Sequence, residues 1–195
     1  MSKREEFDLN AAQKKTTGTQ KRILEFDVYS ELKHGMMVSN LAYDVAKEMG
    51  FSESFCYELA IAGMLHDIGK LKLTGYINGR ENSALVIEEL KYVRMHSTLG
   101  YEELKSQNKY SDFVLKSILY HHENYDGSGY PSNKSGEEIP IGARILRVCD
   151  VFAALRSDRP YRKAFDMETV MELMIEEVKN FDMQVFLAFQ RVVHK

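Results

Sequence analysis

From about Lys21 to its last residues the chain reads as one helix after another, and the faces those helices would bury are interrupted by histidines and aspartates. Strand signals are weak. There is no clean run of alternating apolar and polar residues, and Asn78-Gly79 is the one place that offers a small hairpin turn. Helix boundaries, by contrast, are well punctuated. A first helix is expected over about 21–49, stopped by Gly50, and a second from the cap Ser52 through Ile61 to His66. Residues 71–83, with two glycines and Asn78, read as a loop. A third helix covers about 84–106, and a fourth starts at the cap Ser111 and ends near His122. Pro140 suits the first turn of a fifth, Ile141–Leu155, and Asp166 and Asp182 cap two short amphipathic helices at the end. The expected fold class is all-α: a single-domain helical bundle over 21–195, preceded by a loosely packed polar arm, 1–20.

Size and charge narrow the function classes. A chain of 195 residues with 44% hydrophobic and 28% charged residues fits one domain with its own core. A net charge of -3 argues against a general DNA or RNA binder, so any phosphate recognition must come from a local cationic pocket. The two cysteines, Cys56 and Cys149, lie far apart among apolar residues with no CxxC spacing, as expected of reduced core residues. The first residues hold no apolar signal core, and no apolar run approaches the ~18 residues of a membrane span. The expectation is a cytoplasmic protein with no membrane partner.

The chemistry lies in the interrupted faces. His34 falls on the stripe His34, Val38, Leu41, Val45, and His66 on the stripe Leu59, Ala62, Gly63, His66, both of them core faces. Asp67 adjoins His66, and Asp150 sits inside a near-apolar run from Ile145 to Ala153. Any one histidine on such a face is more often a hydrogen-bonded core residue. An unpaired buried carboxylate, however, is costly and would neutralise itself. Several imidazoles and two carboxylates aimed inward solve each other's problem if they share divalent cations, as in helical bundles that build metal sites in their cores. An aspartate next to a ligating histidine can bridge two metals. Two such metals clamp a phosphate and lower the pKa of a shared water, which supplies hydroxide at neutral pH. Next to this cluster runs His121-His122-Glu123-Asn124-Tyr125-Asp126-Gly127-Ser128-Gly129-Tyr130-Pro131, two imidazoles followed by a glycine-rich turn that suits a substrate loop.

His34, the pair His66-Asp67 and the distant Asp150 resemble the HD superfamily of metal-dependent phosphohydrolases. The run from His121 to Pro131 resembles the HD-GYP subfamily, as do Gly142-Ala143-Arg144-Ile145, Asp150-Val151-Phe152 and Asp158-Arg159-Pro160-Tyr161-Arg162. The resemblance implies a bundle of the HD type and a phosphodiesterase that hydrolyses a cyclic dinucleotide, chiefly cyclic di-GMP, to linear pGpG, with further cleavage to GMP left open. It implies His34, His66, Asp67, His96, His121, His122 and Asp150 as metal ligands for two divalent ions, iron or manganese, with Asp67 bridging them. Asp67 and Lys70 would then act in catalysis, Lys70 by meeting the scissile phosphate or protonating the leaving oxygen. Tyr130, Arg159 and Arg162 would contact the nucleotide. Blander readings stand beside these: Lys70 as a helix-end lysine, Tyr130 as a packed loop residue, and the two arginines as part of a solvated charged segment. His194 matches no role.

The chain departs from the family pattern at several points. Ser30 stands where some relatives place a glutamate for a third metal, so two metals are expected. Ala153 stands in place of an aspartate, and Asn133-Lys134 in place of Gly-Leu. The choice between cyclic di-GMP and a mixed GMP-AMP ring therefore stays open. With only 1–20 ahead of the domain, a stand-alone catalytic domain is expected, paired with itself or with a regulatory protein. The alternatives are an HD phosphohydrolase acting on another nucleotide or phosphomonoester, and a sensor that binds a dinucleotide without cleaving it.

Overall fold

The computed structural model describes residues 28–73, 87–158 and 162–194. The expected arm and the possible turn at Asn78-Gly79 lie outside them. Helix α1 spans Val28–Glu48 and α2 spans Glu53–Leu65. Gly50 takes φ 82°, the left-handed conformation, which lets the Gly50 and Phe51 amides close back on the carbonyls of Lys47 and Ala46 and stop α1. Ser52 then accepts from the Phe55 amide to start α2. The two helices form an antiparallel pair: Ser39 donates to the Ala60 carbonyl at 2.8 Å, and Gly35 and Gly63 let the backbones approach at the crossing.

A short 3-10 segment, Ile68–Lys72, follows α2. The helix expected over 84–106 is two helices, α3 (Ile87–Arg94) and α4 (His96–Ser106), broken at Met95. The break has a local cause. The Nδ1 of His96 takes the Val93 carbonyl at 2.6 Å, the group a continuous helix would offer to the Ser97 amide. The Met95 amide tightens instead onto Tyr92, three residues back.

Helices α5 (Asp112–Tyr120), α6 (Ile141–Leu155), α7 (Met167–Glu176) and α8 (Met183–Val193) follow as expected, with Ser111, Asp166 and Asp182 accepting from the first-turn amides of α5, α7 and α8. No β-strand occurs among the described residues. Helix α6 is the central element, packed against α1, α5, α7 and α8. Its faces alternate little: Ile145, Leu146, Val148, Cys149, Phe152 and Ala153 are all buried, and so is Asp150. The core closes around α6 with Val38, Ala42, Val45, Leu59, Ile118, Val170, Val185 and Phe189. Both cysteines are buried and unpaired.

Candidate metal centre

At three places a histidine closes or follows a helical segment and uses the same device. His66 caps α2 and donates from Nδ1 to the Gly63 carbonyl at 2.7 Å. His121 caps α5 and donates from Nδ1 to the Ile118 carbonyl at 2.6 Å. His96, just after α3, does the same with Val93. Helix ends leave carbonyls without partners, and each ring satisfies one of them. The bond fixes which nitrogen faces inward: Nδ1 carries a proton, and Nε2, with its lone pair in the neutral ring, points to the centre.

These lone pairs converge. His96 Nε2 lies 3.3 Å from His121 Nε2 and 3.1 Å from His122 Nε2. Two neutral rings that both hold their proton on Nδ1 cannot hydrogen-bond through Nε2, so the facing lone pairs need a cation between them. Asp67 Oδ1 completes this group, 3.2 Å from His96 Nε2. The other oxygen, Oδ2, turns to a second group: it lies 3.2 Å from His66 Nε2 and 3.9 Å from His34 Nε2. Asp150 Oδ1 lies 3.0 Å from His34 Nε2 and 3.6 Å from His66 Nε2. The seven side chains thus sort into Asp67, His96, His121, His122 and His34, His66, Asp150, and within each group the donor atoms lie within 4.8 Å of one another. They come from α1, α4, α6 and the ends of α2 and α5. No single stretch of sequence carries the cluster.

Burial and charge fit a divalent cation. His34 Nδ1 and His66 Nε2 are buried without a hydrogen-bond partner, although carboxylate oxygens lie near the latter. Burial works against the charge of Asp67, but His66 and Lys70 hold its carboxyl well below the usual range. Burial likewise opposes the charge of Asp150, and the bond to His34 together with the charge of nearby His66 keeps it ionised. His121 and His122 lie deep among other imidazoles. Burial, joined by neighbouring rings, pushes His121 well down, and burial takes His122 to about 3 even with Asp150 pulling the other way. His66 goes the opposite way. Burial opposes its charge, yet Asp67 and Asp150 raise it to about 10. The contrast follows from position: His66 stands between the two carboxylates, which draw positive charge to that point.

Around the cluster, Lys70 Nζ lies 2.6 Å from Asp67 Oδ2 and 3.4 Å from Glu31 Oε2. Burial opposes its charge, but Asp67 and Glu31 raise its pKa, so it stays an ammonium. Tyr130 stacks on the His122 ring, centroids 4.8 Å apart, and Arg94 lies over the same tyrosine at 5.2 Å. Arg162 is engaged elsewhere: it donates to the carbonyls of Ala154, Leu155 and Lys163 and covers Phe165, closing the end of α6. Arg159 lies outside the described residues. His194 is exposed and ends α8.

Sequence reading missed the residue that shapes the loop. Glu123 is 1% exposed, and its carboxylate accepts from the amides of Ser132 at 2.6 Å and Lys134 at 3.1 Å. The loop folds over it, and a Cβ on Gly129 would overlap the backbone at His122, Glu123 and Asn124. A glutamate beside two histidines reads as another ligand or a surface charge, so nothing in the sequence marks it as a loop anchor.

Residues 11–185 match the family described as HD domain. The chain belongs to the HD-domain family. In this HD domain the His-Asp pair is His66-Asp67, and the family and the cluster together imply divalent-metal binding. Over 172 residues the chain is 35% identical to a cyclic di-GMP phosphodiesterase of Pseudomonas aeruginosa, covering 88% of this chain and 41% of the relative. Over 158 residues it is 35% identical to a 3'3'-cGAMP-specific phosphodiesterase of Vibrio cholerae, covering 79% and 36%. The HD domain therefore spans about two fifths of the length of these relatives. Among solved structures, a protein of Bdellovibrio bacteriovorus described as an HDG"Y"P protein superposes with a TM-score of 0.69 at 19% identity, over 85% of this chain and 53% of the other, which shows a shared fold. No described helix is long and apolar enough to cross a membrane.

Proposed function

We propose that this HD domain is a metal-dependent phosphodiesterase of the HD-GYP type that opens a cyclic dinucleotide, cyclic di-GMP first, to the linear dinucleotide. The observation that carries the reading is Asp67, whose two carboxylate oxygens face the two ligand groups separately. That is the arrangement a carboxylate needs to bridge two ions, and it supports His34, His66 and Asp150 holding one and His96, His121 and His122 the other. When bound, such ions would lower the pKa of a water shared between them and take up charge on the phosphoryl oxygens. Imidazole and carboxylate donors suit iron or manganese. Ser30 is exposed and offers no carboxylate for a third ion.

The chain's own residues then have definite roles. The Nδ1–carbonyl bonds hold three imidazoles with Nε2 facing inward, so the rings are already oriented for binding, and His66 gives up its Nε2 proton when a cation takes its place. Lys70, held as an ammonium beside Asp67, is placed to meet phosphate charge or to give its proton to the leaving oxygen. Tyr130 keeps its phenolic proton, because burial and then Asp150 raise its pKa. With His122 and Arg94 against its ring, the hydroxyl is the part it offers a nucleotide. Arg159 keeps its expected place among the substrate contacts. Relatives named for cyclic di-GMP and for 3'3'-cGAMP both support the substrate class. The two buried, unpaired thiols suit a reducing compartment and support a cytoplasmic location.

The test is incubation of anaerobically purified protein, loaded with Mn(II) or Fe(II), with cyclic di-GMP and with 3'3'-cGAMP. Formation of linear dinucleotide is expected, and Asp67→Ala is expected to be silent. No turnover of either ring with either metal overturns the reading. Tight binding without product would favour the sensor alternative, and turnover confined to phosphomonoesters the other.

A further inference from the structure

The described arginines divide into two kinds. Arg144 is paired with Asp182 at 2.6 Å, and Arg191 with Glu48 at 2.7 Å. Arg156 donates to the Phe165 carbonyl, and Arg162 closes the end of α6. Arg94 and Arg147 have neither a carboxylate nor a backbone carbonyl partner among the described residues, and the charges of both act on Tyr130. Arg94 lies over Tyr130, 5.2 Å from its ring centroid. Arg147 is one helical turn before Asp150 on α6. Its Nε donates to Asn124 Oδ1 at 2.9 Å, which leaves the two terminal nitrogens of the fork for something else.

Asn124 is itself held. Its Nδ2 donates to Ser128 Oγ at 2.9 Å, and Ser128 donates from Oγ to Asp126 Oδ1 at 2.6 Å and from its amide to the same oxygen at 2.9 Å. The loop between His122 and Tyr130 therefore does more than carry the tyrosine. It fixes an amide oxygen that aims a guanidinium. Two such forks beside a cluster of ionised carboxylates, neither of them neutralised by an acid, suit bidentate contact with phosphate oxygens.

We propose that Arg94 and Arg147 form a guanidinium clamp for the phosphate oxygens of the nucleotide, with Asn124 as the positioning residue that aims Arg147. The clamp rests on the phosphodiesterase reading and supplies the local cationic pocket that a chain of net charge -3 requires. It places substrate recognition on α3, α6 and the glycine-rich loop, elements that flank the metal centre.

Calorimetric titration of the metal-loaded protein tests it with two probes: a hydrolysis-resistant phosphorothioate analogue of cyclic di-GMP, and pyrophosphate, which carries phosphate oxygens without bases. Arg94→Gln and Arg147→Gln are each expected to weaken both ligands about tenfold, the loss of one charge-assisted pair, with metal per chain unchanged. Arg147→Lys should recover part of the loss. Asn124→Ala should weaken binding in the wild-type background and add nothing in the Arg147→Gln background, which a merely structural role for Asn124 would not produce. Arg191→Gln, remote on α8, should bind as the wild type does. Unchanged affinity in both glutamine variants, with the wild type binding the analogue, overturns the clamp and keeps the phosphodiesterase reading. Arg147-dependent binding of pyrophosphate alone keeps the clamp and overturns the cyclic-dinucleotide reading. Binding of neither probe overturns both.

Discussion

A single atom arrangement organises the centre: an Nδ1 proton bound to the carbonyl three residues back, repeated at His66, His96 and His121. Each ring satisfies a helix-end acceptor and turns Nε2 inward, so the helix termini set which nitrogen faces the centre. Asp67 is the residue on which both groups depend. Asp67→Asn keeps the shape and removes the charge, and metal per chain measured by mass spectrometry should fall below the wild-type value while helical circular dichroism stays intact. Gly129 carries a different kind of constraint. Its place against the His122–Asn124 backbone leaves no room for a methyl group. Gly129→Ala should therefore destabilise the protein by about 1–3 kcal/mol, read as a lower urea midpoint, because the overlapping atoms are backbone and cannot rotate away.

At the scale of elements, the helix expected over 84–106 shows how a site competes with regular structure. The apolar and polar pattern supports one long helix, and the imidazole of His96 breaks it by taking the Val93 carbonyl. The caps behave as their residue types dictate. Ser52, Ser111, Asp166 and Asp182 each accept from a first-turn amide, and each helix begins where its cap stands. Asp182 also ties two helices together. While one of its oxygens starts α8, the other binds Arg144 of α6 at 2.6 Å. Asp182→Ala removes a cap and strands a largely buried guanidinium, so thermal or urea unfolding should show a loss of about 3 kcal/mol. Asp182→Asn should recover part of it through the cap alone.

For the whole molecule, the buried cluster ties stability to pH with two opposing signs. His122 titrates near 3 in the folded chain and near 6.5 unfolded, so between those values the unfolded chain holds the extra proton and stability falls as pH drops. His66, raised to about 10, holds its proton in the folded chain where the unfolded chain has lost it, and this contribution disappears as pH rises from about 6.5 towards 10. The melting temperature of metal-free protein should therefore peak near neutrality. His122→Gln should make the acid side of the curve shallower, with His121, Asp67 and Asp150 keeping the rest of its slope, and leave the alkaline side. A metal-free melting curve unaffected by pH between 4 and 9 would show that the cluster is not the source. By itself the sequence determined the helical class, the caps, the helix α6 boundaries and the inward-facing His34, His66, Asp67 and Asp150, because these follow from local chemistry: periodicity, cap side chains, and the cost of burying an unpaired carboxylate. That His96, His121 and His122 join them was implied by the resemblance to the HD-GYP pattern, not by local chemistry. The sequence could not sort the seven side chains into two groups around Asp67, since that depends on how helices distant in the chain cross. Nor could it show that Arg162 serves the α6 terminus while Arg147 is left facing the centre. Arginines look alike in a sequence, and which of them lacks an acid is decided by packing, when Asp182 reaches Arg144 and only an amide oxygen reaches Arg147.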